Sequence, residues 1–276
     1  MTKISEQDYL LKEQYKDDSN LNTRIRLHQL YSTNKGSWHR WVFDHFDFPA
    51  DARVLELGCG PADLWRQNLD RIPARWQLTL SDMSPGMLEK AKDNLGFGSD
   101  GANASPTLGH FQFELIEAQS IPFGDNSFDG VVANHMLYHV PDRRQALREI
   151  QRVLKPEGQL YAATNGRSHM QELRQYVLRL VPEEAVTMGA FDQFGLENGT
   201  EQLMPWFDTI SLSQYRDGLV VTEIEALMAY VQSSRLWGLA DENDQDALRQ
   251  LLVEEMANQG AIHIQKSTGL FIATQD

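Results

Sequence analysis

The chain has 276 residues, 41% hydrophobic and 23% charged, an ordinary globular composition that excludes a disordered or collagen-like chain and suits one large domain or one domain with a cap. Formal net charge is −14, and residues 183–260 carry most of it, with fifteen Asp and Glu against Arg216, Arg235 and Arg249; phosphate backbones are repelled there, so no nucleic-acid partner is expected. No run approaches the roughly 18 apolar residues of a membrane span, the polar start MTKISEQDYL has no signal-peptide core, and the single cysteine, Cys59, excludes an intramolecular disulfide, so a cytoplasmic protein is expected.

Residues 1 to about 48 read as amphipathic helix, with Leu27, Leu30, Tyr31, Trp38, Trp41, Val42 and Phe46 recurring at spacings near three and four. They predict an N-terminal helical lid over 1–50. From Ala52 the pattern changes to a short apolar run, Arg53 to Leu57, that enters a glycine turn at Gly58-Cys59-Gly60-Pro61, with a helix from about Ala62. Gln77 to Ser81 reads as a second strand and Ser84 to Asn94 as a helix with Ser84 as N-cap and Pro85 in the first turn. Residues 96–106, rich in Gly, Ser, Asn and Pro, predict a mobile loop before a third strand over Phe111 to Ile116.

Phe128 to Asn134 is a fourth strand, and Asp142 to Leu154 a helix with one apolar stripe, Ala146, Leu147, Ile150 and Val153, closed by Lys155-Pro156-Glu157-Gly158. Gln159 to Thr164 is a fifth strand. Five strands alternating with helices over 51–165 predict a doubly wound, mostly parallel α/β sheet. Residues 166–260 then read as a mainly helical cap, with a strand near 207–215 and helices near 222–234 and 242–258. The C-terminal pieces 261–264 and 270–273, within 261–276, are expected to complete the sheet edge.

A glycine turn after the first strand brings backbone close to a ligand and aims the next helix's N–H groups at it, so the site belongs at the carboxyl ends of the strands. The spacing departs from G-x-G-x-x-G, since position 63 is Asp. Asp82, at the tip of the second strand and 22 residues after Gly60, is placed to accept hydrogen bonds from both hydroxyls of a ribose. A nicotinamide dinucleotide and S-adenosylmethionine both present that ribose. Glu56 suits a ligand bearing ammonium or sulfonium and would repel a pyrophosphate.

Two further segments, Glu117 to Phe123 followed by Asp125 to Asp129, and Leu137 to Asp142 with Glu149 to Gly158, resemble those of the class I S-adenosylmethionine-dependent methyltransferases, in the small-molecule branch that includes the ubiquinone and menaquinone methyltransferases. The resemblance covers 52–165, and departs from the commonest pattern at Ala62 (usually Gly) and Glu117 (usually Asp). It implies a seven-stranded Rossmann-like sheet and S-adenosylmethionine as cofactor, with S-adenosylhomocysteine as product and no metal. It further implies that the Gly58-Cys59-Gly60 turn binds the cofactor, its glycines passing close to the methionine part, that Asp82 holds the ribose, and that Met83 packs on adenine. Glu117 would accept from the adenine amino group within the Glu117-Ala118-Gln119 segment, the Ala118 N–H would serve a ring nitrogen, and the Asn134 carbonyl would help hold the methionine ammonium. Tyr31 and Trp38 would close over the cofactor.

Methyl transfer from a sulfonium requires alignment above all, plus a base where the acceptor is a hydroxyl. His139 and His135, after the fourth strand, are the candidate bases; no metal is expected there, since no Glu intervenes as in H-E-x-x-H. His28, His39, His45, His110, His169 and His263 are given no role, and Asn165 either faces substrate or caps the next turn. Met188, Phe191, Phe194, Trp206, Phe207 and Trp237 make the cap apolar, which with the acidic balance predicts a small-molecule acceptor, neutral or amine-bearing with an apolar part. The competing readings are a protein or RNA methyltransferase, a nicotinamide-dependent oxidoreductase, and a cofactor-binding protein with non-methylating chemistry.

Overall fold

The apolar runs become strands at the centre of the molecule. The computed structural model describes residues 19–97, 110–181, 192–233 and 242–275. In chain order the elements are α1 (Ser19–Tyr31), α2 (Trp38–Phe43), β1 (Arg53–Leu57), α3 (Asp63–Arg66), β2 (Gln77–Asp82), α4 (Pro85–Asn94), β3 (Phe111–Leu115), β4 (Phe128–Val132), α5 (Arg143–Val153) and β5 (Leu154–Asn165). There follow α6 (Gln171–Leu178), α7 (Gly199–Leu203), β6 (Thr209–Tyr215), β7 (Gly218–Val221), α8 (Ile224–Ser233), α9 (Glu242–Gln259), β8 (Ile262–Gln265) and β9 (Thr268–Thr274). Seven strands form one sheet in the order β3-β2-β1-β4-β5-β9-β6. β1 to β5 run parallel, while β9 is antiparallel to both neighbours. From position 98 on, the expected mobile loop lies outside the described residues, as do Met188, Phe191 and Trp237.

Strand periodicity sorts the core onto the two faces of this sheet. Leu55, Leu160 and Ala162 pack with the α5 stripe of Ala146, Leu147, Ile150 and Val153. Their neighbours Val54, Tyr161 and Ala163 face the opposite layer with Val42, Trp65 and Leu88 from α2, α3 and α4. Ser84 caps α4 by accepting from the Met87 N–H at 3.4 Å, with Pro85 leading the helix.

Three expectations change here. β5 begins at Leu154, not Gln159: Leu154 pairs with Phe128, and Lys155 to Gly158 form an irregularity before the register resumes at Gly130 and Gln159. β8 does not join the large sheet; it pairs with β7, a strand the sequence reading missed, in a separate two-stranded ladder. Only β9 enters the large sheet, between β5 and β6 rather than at its edge. Leu27 of α1 shares one buried cluster with Leu173 and Val177 of α6, Leu219 and Val221 of β7, Leu227 and Val231 of α8, and Ile262 and Ile264 of β8. The sheet's carboxyl edge and this second cluster bound the cavity described next.

Candidate active site

β1 hands the chain to a turn in which Gly58 and Gly60 take φ of +69° and +52°, left-handed values that favour glycine. At Gly58 a Cβ would also stand 2.9 Å from Met136 Cβ. At Gly60 a Cβ would meet nothing within 4 Å, because the position opens into a cavity. The turn is held by the Cys59 N–H donating to Ser81 O at 2.8 Å and the Ala62 N–H donating to Cys59 O at 3.0 Å. Burial pushes the Cys59 thiol well up, so it sits there as a small apolar group.

Asp82 ends β2 beside this turn. Its Oδ2 accepts from the Gly60 N–H at 3.0 Å and its Oδ1 from the Ser84 N–H at 2.8 Å. Burial still pushes its carboxyl above the ordinary range, against these backbone bonds. Glu56 lies deeper. Only 2% exposed, it accepts from Trp65 Nε1 at 2.6 Å on Oε2, and burial pushes its carboxyl up to about 8, the Trp65 bond opposing and Asp82 adding to the rise. The Asn134 Oδ1, just past β4, is buried with no hydrogen-bond partner. A buried carboxyl and an orphaned carbonyl oxygen on one cavity wall fit a ligand that brings a positive charge and N–H donors.

Beyond β3, residues 117–123 are clamped by α5. Arg152 donates to Phe123 O at 2.7 Å and Ile121 O at 2.9 Å while pairing with Asp125 and Glu149, and Glu149 Oε2 accepts the Ile121 N–H at 3.0 Å. Gln119 donates through Nε2 to Glu117 and accepts from the Asp142 N–H on Oε1 at 2.7 Å, tying Glu117 to the start of α5. After β4, His135 adopts φ +52° while its N–H donates to Ala163 O at 2.9 Å. Burial, with His39, Lys266 and His139 adding to it, pushes the His135 ring down to about 4. Trp38 stacks on Trp41 at 5.1 Å and stands 5.5 Å from the His135 ring.

One cavity of about 720 Å³ joins these groups. Glu56, Gly58, Cys59, Gly60, Asp82, Met83, Glu117, Ala118, Gln119, Asn134, His135, His139 and Trp38 all line it. Tyr31 does not. One helix turn from Leu27, it packs against the buried cluster shared by α1, α6 and α8. Phe194, Phe207 and Trp206, expected to give the cap an apolar cleft, pack instead with the α5 face of the sheet. Asn165, for which facing substrate was one of two expectations, lines the wall, and the sequence reading gave no role to other wall residues, namely His28 and Arg24 of α1, His39, His169, Tyr215, Tyr230, Lys266 and Thr268. Polar residues at 24 and 28 on α1, and at 32 just past its end, recur at a spacing of four, the signal by which that part of the wall was findable. Among the described residues no group of three His, Cys, Asp or Glu is placed to hold a metal, and no helix is long and apolar enough to cross a membrane.

A parallel sheet with its glycine turn after β1, a carboxylate at the tip of β2 and one antiparallel strand beside β5 defines a Rossmann-like nucleoside-binding domain. Residues 55–162 match the family described as a methyltransferase domain. The chain is 33% identical over 126 residues to the ubiquinone/menaquinone biosynthesis C-methyltransferase UbiE of Hahella chejuensis, an alignment covering 45% of this chain and 47% of that protein. It spans about half the length of the curated relatives it matches. Among solved structures, phosphoethanolamine N-methyltransferase 2 of Haemonchus contortus in complex with S-adenosyl-L-methionine aligns with a TM-score of 0.59 at 18% identity, covering 99% of this chain and 60% of that one. The cyclase SpnF aligns at 0.53 and 18%, covering 89% and 86%. Over residues 55–162 the chain is thus similar to methyltransferase domains, and its sheet shares the fold of a solved methyltransferase that holds S-adenosyl-L-methionine.

Proposed function

We propose that the protein transfers a methyl group from S-adenosylmethionine to a small molecule bound in the same cavity. The observation that carries this reading is the convergence of Asp82, Glu56 and the unpartnered Asn134 Oδ1 on one cavity wall. Asp82 takes the ribose hydroxyls on the lone pairs that Gly60 and Ser84 leave open. Glu56 and Asn134 face the ammonium and sulfonium end, while Gly58 and Gly60 let the backbone approach it. Met83, Glu117 and Ala118 form the adenine wall, which Gln119 positions. When bound, the cofactor supplies a methyl group made electrophilic by its sulfonium. Trp38 covers the transfer position from α2 and keeps water out. His135 and His139 stand beside it; at neutral pH the His135 ring is uncharged, the form that takes a proton from a hydroxyl acceptor.

The acceptor keeps its expected apolar part, for which Trp38, Met136, Tyr138, Tyr215 and Tyr230 provide the surface. The expected neutral or amine-bearing character rested on the acidic stretch 183–260, and of those acidic residues only Asp217 reaches the cavity among the described residues. The charge of that stretch thus gives no support for an amine. A cytoplasmic location remains part of the proposal. Fold alone does not fix the chemistry, since the cyclase SpnF shares it. Calorimetric titration with S-adenosylmethionine, S-adenosylhomocysteine and NAD, followed by an acceptor screen that scores S-adenosylhomocysteine formation, tests the reading. Binding of the first two and product formation with an acceptor support it; binding of NAD alone overturns it.

A further inference from the structure

At the end of the cavity away from Asp82, polar groups are already sorted by their own hydrogen bonds. Thr268 Oγ1 donates to Asn165 Oδ1 at 2.8 Å, which leaves the Asn165 amide its Nδ2 donors. His169 Nδ1 accepts from the Ser267 N–H at 3.3 Å and lies 3.4 Å from Thr268 Oγ1, whose proton is committed to Asn165. With its lone pair used on Nδ1, the His169 ring carries its proton on Nε2 and is a second donor. Asn165 and Thr268 meet because β5 and β9 pair them directly. Facing them from α1, His28 has its ring 6.2 Å from that of His169 and a buried Nδ1 with no partner.

The acidic side chain at this end is spent. Asp217 pairs with Lys266 at 2.5 Å and accepts from Ser32 Oγ at 2.8 Å, the Asn34 N–H at 3.0 Å and the Gly218 N–H at 2.8 Å. Lys266 gives one proton to Asp217 and reaches Ser32 Oγ at 3.5 Å, with a third N–H remaining. Burial, with Lys266 adding to it, pushes His28 down to about 3. Burial, with His28 and Lys266 adding, holds His169 well below the ordinary range. Both rings are neutral at neutral pH, so an ammonium brought to Asn165 and His169 meets their N–H donors and no available carboxylate.

We infer that this wall selects the methyl acceptor by its oxygen, taking a small molecule that presents a carboxylate or carbonyl oxygen to Asn165 and His169 and excluding one that presents an ammonium there. The inference rests on the methyltransferase reading of the cavity and adds the substrate class to it. Asn165 and His169 are then its specificity-determining residues.

The test uses three probes with one aromatic body, benzoate, benzamide and benzylamine, titrated calorimetrically into protein saturated with S-adenosylhomocysteine. Benzoate or benzamide should bind at least about tenfold more tightly than benzylamine, the worth of one or two well-placed hydrogen bonds. Asn165→Asp keeps the oxygen that Thr268 needs and replaces the amide donor by a carboxylate, so it should erase or reverse that preference. His169→Phe, a second variant, should weaken benzoate without improving benzylamine. Failure of S-adenosylhomocysteine itself to bind would overturn the methyltransferase reading. If it binds while neither oxygen probe does, or benzylamine matches them, or Asn165→Asp leaves the preference in place, the selectivity inference alone is overturned.

Discussion

The Trp65 indole N–H donates to Glu56 Oε2 at 2.6 Å in the interior, with Trp65 fully buried and Glu56 2% exposed. One neutral donor does not replace the water that a carboxylate loses on burial, so the Glu56 carboxyl rises from 4.5 to about 8. Between these values the folded chain holds a proton that the unfolded chain has released. The ligand-free fold therefore weakens as pH rises from about 4.5 to about 8, with a limiting slope of about 1.4 kcal/mol per pH unit. A bound cation favours the carboxylate, so S-adenosylmethionine should release close to one proton at neutral pH. Calorimetry in buffers of different ionisation enthalpy reads that proton, and Glu56→Gln should abolish both the release and the pH dependence. Binding enthalpy that is independent of the buffer would show that Glu56 does not face the ligand's charge.

Gly60 separates folding from binding. A Cβ there meets no protein atom within 4 Å, so Gly60→Ala costs only the left-handed strain of φ +52°, about 1–2 kcal/mol. Into the same space the cofactor must bring its methionine part. We expect a melting temperature within a few degrees of the parent and a loss of S-adenosylhomocysteine affinity of at least about tenfold, a methyl group's worth of overlap at close quarters. Equal loss in Gly58→Ala would be uninformative by itself, because Met136 is only 2.9 Å away and folding suffers too. Unchanged affinity in Gly60→Ala would place the methionine part elsewhere.

The glycine turn and Asp82 were legible because their placement is local: a strand, two glycines and an Asp at a fixed spacing put Gly60 and Asp82 in hydrogen-bond contact wherever that strand order occurs. The wall around Thr268 and His169 was not. Asn165 and Thr268 are 103 residues apart and meet only through an antiparallel pairing that periodicity cannot announce. His28 and His169 looked like isolated histidines until α1 was packed against the cluster built after residue 166. Tyr31, expected to close over the cofactor, packs on that second cluster and is absent from the cavity lining for the same reason, since its helix has two sides to bury and the sequence does not say which partner takes which.

His135 carries a sharp pH signature. Its ring falls from 6.5 to about 4, so the fold prefers the neutral form, and stability attributed to it is kept above about 6.5 and lost as pH falls toward 4. If it takes the acceptor's proton, kcat/KM should stay level as pH falls to about 5 and decline only below that, with no inflection near 6.5. His135→Ala should then lower kcat by about a hundredfold or more while S-adenosylhomocysteine affinity stays nearly constant. The same profile in His135→Ala would transfer the role to His139 or to no base at all.

Asp217 fastens the loop between α1 and α2 to the turn between β6 and β7. Its carboxylate receives Ser32, Thr33, Asn34, Gly218 and Lys266 together, with a side chain only 2% exposed. That loop leads directly into Trp38 and His39 on the cavity wall. Asp217→Ala leaves the Lys266 ammonium, 12% exposed, without its counter-ion, and a loss of about 3–5 kcal/mol in urea unfolding is expected. The paired change Asp217→Asn with Lys266→Met removes both charges and should recover most of that stability. Because the loop's other hydrogen bonds to position 217 are only partly kept by an amide, cofactor affinity in the double variant should still fall, severalfold, as Trp38 loses its anchor. A double variant that is both stable and unchanged in affinity would show that the ion pair holds the fold but has no part in placing Trp38.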